Sequence, residues 1–160
     1  MRKMFLFSIL ASGLFNAQIL EYYPKGQDDY KGGNVQFYKD FHKILVEKNL
    51  KPCDNNKESY SFQVVVYPDD TIKYVKEENE EYLSKNKCAY DLSREVAKYL
   101  KGWKSAEVDG KKVAARTSFW IIPDELFREL KEGYDPVKDY KMPEYEGGIN
   151  KKKKKVANSI

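Results

Sequence analysis

Apolar residues recur at helical spacing in two main stretches of this chain and follow a strand period in others. After Asn34, the residues Phe37, Tyr38, Phe41, Ile44 and Leu45 repeat every three or four positions, with Lys39, Asp40, Lys43 and Glu47 between them. This predicts an amphipathic helix capped by Asn34 and ending near Leu50, ahead of Pro52. Phe62, Val64 and Val66 alternate with Ser61, Gln63 and Tyr67, which is a strand period. Pro68-Asp69-Asp70 is turn chemistry, and 71–76 reads as the returning strand of a hairpin. The charged run 77–86 reads as loop or a frayed turn. Asp91 is placed to cap a second helix whose stripe is Leu92, Val96, Tyr99, Leu100 and Trp103. Asp109-Gly110 marks a tight turn. Beyond it Val113, Ala115, Thr117, Phe119 and Ile121 alternate with Ala114, Arg116, Ser118, Trp120 and Ile122 in one long strand ended by Pro123. A short helix over 124–131 would use Leu126, Phe127 and Leu130 and close at Gly133.

The order is therefore helix, strand, strand, helix, strand. The compact solution is an α+β domain with two helices packed on a small three-stranded antiparallel sheet. So small a sheet must leave a strand at its edge, with main-chain groups that no other strand pairs.

The N-terminus follows a different pattern. Arg2 and Lys3 precede an apolar run over 4–14 broken only by small residues, among them Ala11-Ser12-Gly13, and Ala17 follows it. That is the layout of a secretory signal peptide, assigned to 1–17, with cleavage either near Gly13 or after Ala17. The alternative is an uncleaved anchor, for which the run falls short of the ~20 apolar residues of a span. Export places the protein in the periplasm, with the membrane involved only through an uncleaved signal. Cleavage removes two cations and no acid from a chain of formal charge +4, so the mature protein is close to balanced and not a nucleic-acid binder.

Export also changes the reading of Cys53 and Cys88. Two cysteines in an oxidising compartment favour one intramolecular disulfide, and two free thiols are the alternative. Without a CxxC pair, and with His42 the only histidine, no metal ligand set is evident. No GxSxG, Walker loop, HExxH or GxGxxG is present. His42 reads as a surface residue on the flank of the first helix. No catalytic residue and no cofactor are assigned, and the protein is not read as an enzyme.

Several short elements occur together at telling separations. Tyr30-Lys31-Gly32-Gly33 opens the first helix. Asp69-Asp70-Thr71-Ile72 turns the first hairpin. Trp103-Lys104-Ser105-Ala106 leaves the second helix, and Gly110-Lys111-Lys112-Val113 enters the last strand. Over roughly 21–122 this resembles the C-terminal domain of TonB-type energy transducers. That family has Tyr-Pro-Gly-Gly, Asp-Gly, Trp-Lys-Pro-Ala and Gly-Lys-Pro-Val at these places, so Lys31, Asp70, Ser105 and Lys112 depart from its pattern.

The resemblance implies that the last strand accepts the N-terminal peptide of a TonB-dependent outer-membrane receptor by strand addition. Arg116, Thr117, Ser118 and Trp120 would be the contact residues. Trp103, Gly32, Gly33 and Gly110 would be structural, with Trp103 in the core. Trp120 either packs under the short helix or is partly exposed. A proline at Thr117 would abolish binding if that amide faces outward. A transducer also needs a membrane anchor and a long linker. Here about twenty residues separate the apolar run from Gly33, at most ~70 Å when stretched. The expected role is a peptide- or receptor-binding module in the periplasm of a Gram-negative envelope, related to transmembrane transport but without an evident energy-transducing anchor. The alternative is a structural or interaction protein of the cell envelope that reuses the fold.

The expected organisation is a signal peptide over 1–17, an extension over 18–33, the TonB-like domain over 34–123, and a short helix with a Lys-rich tail over 124–160. Tyr145-Glu146-Gly147-Gly148 repeats the Tyr-x-Gly-Gly of 30–33, so 145–160 resembles the degenerate start of a second copy. One helix with half its stripe replaced by lysines cannot fold alone. The tail is expected to be disordered, and deletion from 134 onward to leave the domain intact.

Overall fold

A computed structural model of the chain describes residues 19–139. The signal peptide expected over 1–17 and the second copy expected over 145–160 lie outside the described residues.

The first helix, α1 (Gly33–Glu47), starts on glycines and not on Asn34. Gly32 and Gly33 have φ of 87° and 69°, in the left-handed region where L side chains are strained. A Cβ on Gly32 would also lie 2.8 Å from the Cβ of Gln36. Asn34 is inside the first turn, and its side-chain amide donates to Asp135 at 3.2 Å. The helix stripe is as read: Phe37, Tyr38, Phe41, Ile44 and Leu45 are all buried.

Two strands follow, β1 (Tyr60–Val66) and β2 (Ile72–Tyr74), joined by a turn in which Asp70 takes φ of 62°. The charged run 77–86 is not simply loop. It contains α2 (Glu80–Lys85), capped by Asn79, whose side chain accepts the Tyr82 N–H at 2.9 Å. Tyr82 anchors this helix by stacking on Tyr60, by donating to the Ser59 carbonyl and by accepting the Ser61 N–H. The next helix, α3 (Lys87–Ala97), begins four residues before Asp91, which pairs with Lys87 within the helix instead of capping it. Glu58 does part of the capping, accepting the Ala89 N–H at 3.0 Å. The helix also stops early. Leu100 and Trp103 are buried beyond its end, while Tyr99 is 39% exposed. The chain straightens there because Lys31 N–H donates to the Gly102 carbonyl at 2.7 Å, tying this segment to the approach to α1.

The long strand expected after Gly110 is two strands. A hairpin of β3 (Ala106–Val108) and β4 (Lys111–Val113) turns on Asp109 and Gly110, both at positive φ, as a two-residue turn between strands of right-handed twist requires. The chain then bends at Ala114 and continues as β5 (Ala115–Ile121). Two short helices end the described chain, α4 (Pro123–Leu126) and α5 (Pro136–Asp139).

The main sheet is antiparallel with strand order β2-β1-β5, and its register sets Phe62 against Phe119 and Val64 against Thr117. One face carries Phe62, Val64, Phe119 and Ile121 and packs on the stripes of α1 and α3. Phe37 stacks on Phe119 at a ring separation of 3.7 Å. The fold class is the expected α+β arrangement.

The hydrophobic core extends beyond 34–123. Tyr30, Leu126 and Tyr134 belong to the core, and Tyr134 packs edge-on against Tyr38 at 5.3 Å. A deletion starting at 134 therefore removes part of the core. Cys53 and Cys88 form a disulfide between the segment after α1 and the first turn of α3.

Candidate peptide-binding edge

β5 is an outer strand of the sheet, and its free side is where the sequence placed the site. Main-chain groups along an antiparallel strand alternate in direction. Leu20 N–H donates to the Ala114 carbonyl at 2.9 Å, and Arg116 N–H donates to the Leu20 carbonyl at 2.8 Å. Even-numbered residues therefore turn their N–H and C=O away from β1. Trp120 follows the same rule: its N–H and carbonyl meet the hydroxyl of Tyr38, each at 3.1 Å. Thr117 is odd, so its amide faces β1, paired with Val64. The condition for the proline test at Thr117 is not met. Among the described residues no hydrogen bond reaches the outward main chain of Ser118.

Side chains alternate as well. Arg116, Ser118 and Trp120 project from the face opposite the helices, across from Val65, Gln63 and Ser61. Thr117 turns the other way, and its hydroxyl donates to the carboxylate of Asp29. Burial pushes the Asp29 carboxyl above its ordinary range, and the Thr117 bond opposes that shift. Three of the four expected contact residues thus share one face, while Thr117 is engaged beneath the edge.

The guanidinium of Arg116 is incompletely used. Its Nη1 is 3.4 Å from a Glu21 carboxylate oxygen, and its Nε is enclosed without a hydrogen-bond partner among the described residues. Trp120 is 37% exposed, so it is not buried under the short helix. Instead it borders an apolar cavity of about 590 Å³ with Ile122, Pro136 and Val137.

The structural residues fall where packing needs them. Trp103 is 8% exposed and meets Tyr30, Phe37 and Phe119 at ring separations of 5.5–5.9 Å. Gly32, Gly33 and Gly110 all have positive φ. His42 is not merely a surface residue. Its Nδ1 donates to the Leu126 carbonyl at 2.8 Å and ties α1 to α4. Cys53, Cys88 and Glu58 bring three potential ligand atoms within 4.8 Å of one another, but the sulfur–sulfur bond leaves no thiolate to hold a metal.

Sequence reasoning missed the packing of segment 19–31, which meets this edge at Leu20 and then runs past Lys104, β3 and Gly102. Beyond the Leu20 bridge, Tyr23 donates to the Lys104 carbonyl at 2.7 Å. The side-chain amide of Gln27 exchanges two hydrogen bonds with the main chain of Glu107, at 2.7 and 2.8 Å, and so covers the edge of β3. The only signal was the polarity of the segment after the apolar run, which read as an approach to the domain. The role of the Tyr38 hydroxyl carried no signal at all, because a tyrosine in a buried stripe reads as core.

Comparison with protein-family profiles, with curated proteins and with solved structures gave no match. No helix among the described residues is long and apolar enough to cross a membrane.

Proposed function

We propose that the protein is a peptide-binding module that takes an extended partner segment onto the outer edge of β5, and that the partner is the N-terminal peptide of a TonB-dependent outer-membrane receptor met in the periplasm. The observation that carries the reading is the Leu20 bridge: this edge already holds one residue of another segment through two main-chain hydrogen bonds. Strand addition needs only such an edge plus side chains that select alternate positions of the ligand. Arg116 and Ser118 stand where that selection would occur, and Trp120 with its apolar cavity lies at the end of the track. The receptor as partner comes from the resemblance to TonB C-terminal domains.

The test is an NMR titration with receptor N-terminal peptides. Amide shifts should cluster at Arg116 and Ser118. Ser118→Pro should abolish binding while the protein stays folded, because an outward N–H on an edge strand is one the sheet does not need. Peptide at millimolar concentration that shifts nothing on β5 would refute the reading.

One observation favours the alternative, a structural or interaction protein of the envelope. Leu20 occupies one end of the edge and the Tyr38 hydroxyl closes the other, so the open stretch is short. That reading predicts an edge that never exchanges its occupant.

A further inference from the structure

We propose that Leu20 and Glu21 are a built-in ligand of the β5 edge, and that the partner segment is an extended stretch in which an aliphatic residue is followed by an acid, entering parallel to β5 in their place. This rests on the peptide-edge reading above and adds the chemistry, direction and competition of the ligand.

Direction follows from the bridge. The pairing of Leu20 with Ala115 is parallel, made by Leu20 N–H to the Ala114 carbonyl and by Arg116 N–H to the Leu20 carbonyl. The chain then departs, and Tyr22 is 84% exposed. A longer segment in the same register would keep both bonds and reach the Arg116 carbonyl and the Ser118 N–H. It would end at Trp120, whose outward groups Tyr38 holds.

Chemistry follows from the pleat. Leu20 lies opposite Ala115, whose side chain faces the core, and Leu20 is itself half-buried. Its neighbour Glu21 therefore points to the open face, where it meets Arg116. That contact is long, and Arg116 keeps an enclosed Nε without a partner among the described residues, so the guanidinium can take a better-placed carboxylate. The resident segment is therefore a ligand of the right chemistry held by few bonds. Its tether supplies a high local concentration, and it lowers the apparent affinity of any competitor by the fraction of time it occupies the edge.

The experiment uses the full chain and a peptide of its own residues 18–24, with a second peptide carrying Lys for Glu at the acidic position. Leu20→Pro removes the donor to Ala114. The Arg116 amide should then exchange with solvent at least about tenfold faster while Val64 and Phe119 amides keep their protection. The own-sequence peptide should bind this variant about tenfold tighter than it binds the unaltered protein, as expected when a resident occupying about nine-tenths of the population is removed. The Lys peptide should bind it about threefold more weakly than the Glu peptide, in keeping with a solvent-exposed ion pair, and Arg116→Glu should reverse that order.

If Leu20→Pro does not fold, Glu21→Arg gives the same test at the surface, with faster Arg116 exchange that Arg116→Glu restores. Unchanged Arg116 exchange, or equal affinity of the own-sequence peptide for Leu20→Pro and the unaltered chain, overturns the inference. Receptor peptides that bind neither protein, when the own-sequence peptide binds Leu20→Pro, remove the receptor reading and leave the built-in ligand standing.

Discussion

Gly102→Ala should destabilise the protein by about 3 kcal/mol, although nothing in the local sequence marks this glycine. Its backbone is not in the left-handed region, so conformational freedom is not the reason. The reason is Tyr30. A Cβ on Gly102 would lie 2.3 Å from Cζ, 2.4 Å from Cε1 and 2.8 Å from the hydroxyl oxygen of that ring. The ring cannot step aside. It is 1% exposed, packs edge-on against Phe37 at 5.4 Å and Trp103 at 5.5 Å, and its hydroxyl donates to Asp40 at 2.7 Å.

Forcing a methyl into such packing costs about 1–3 kcal/mol. Displacing the ring also weakens a hydrogen bond to a carboxylate, about 1.5 kcal/mol more. The stiffer unfolded chain of the alanine variant returns under about 1 kcal/mol. Urea unfolding followed by tryptophan fluorescence and by far-ultraviolet circular dichroism should show the midpoint falling by about 1.5 M at unchanged slope, for a slope of ~2 kcal/mol/M. The double variant with Tyr30→Leu should lose less than the sum of the single changes, with a coupling of at least about 1 kcal/mol. A loss below about 1 kcal/mol for Gly102→Ala, or strict additivity with Tyr30→Leu, would show that the contact does not carry the cost.

Trp103→Ala should cost about 3 kcal/mol, the low end for a buried aromatic, because its indole N–H has no partner among the described residues; a melting midpoint equal to that of the unaltered protein would place the indole outside the core. Replacing Cys53 and Cys88 by serine should cost about 4 kcal/mol for a crosslink spanning 35 residues, read by urea unfolding of the oxidised and serine forms; equal stability would exclude the crosslink as a constraint on the unfolded chain. A chain ending at Gly133 should lose several kcal/mol, on the order of a Tyr deletion from a core, because it lacks Tyr134 against Tyr38 and Asp135 bonded to Asn34; unchanged cooperative unfolding would refute this.

Stability should also depend on Asp70 in acid. The Lys112 ammonium and the Ser105 N–H pull its carboxyl down to about 2. A depressed carboxyl stabilises the fold fully above its unfolded value near 3.8 and loses that contribution as pH falls through about 2. The effect should stay under ~1 kcal/mol because the side chain is 40% exposed. Asp70→Asn should remove it, and identical pH profiles of the two proteins between pH 5 and 2 would refute the assignment.

The periodicities alone determined the stripe of α1, the pairing of β1 with β2, the inward set Phe119 and Ile121, and the Asp109-Gly110 turn. Each depends on contacts within a few residues, where side-chain direction follows from backbone period. The same local logic failed at element ends. Asn34 and Asp91 are good caps by residue type, yet glycine conformations and the Asn86 junction decide where α1 and α3 begin. Past Ala97 the stripe kept Leu100 and Trp103 buried but lost Tyr99 to the surface and lost the helix, because Tyr30 and Lys31 draw Gly102 and Trp103 into an extended path.

The candidate site divides in the same way. Arg116, Ser118 and Trp120 were legible as one face of a strand, since alternation is local. Which of the Arg116, Thr117 and Ser118 amides points outward is not local, because it depends on which side of β5 the strand β1 takes. The occupation of that edge by Leu20, its closure by Tyr38 and the covering of β3 by Gln27 join residues about eighty or more positions apart. Such contacts leave no period in a sequence, and only the tertiary structure brings them together.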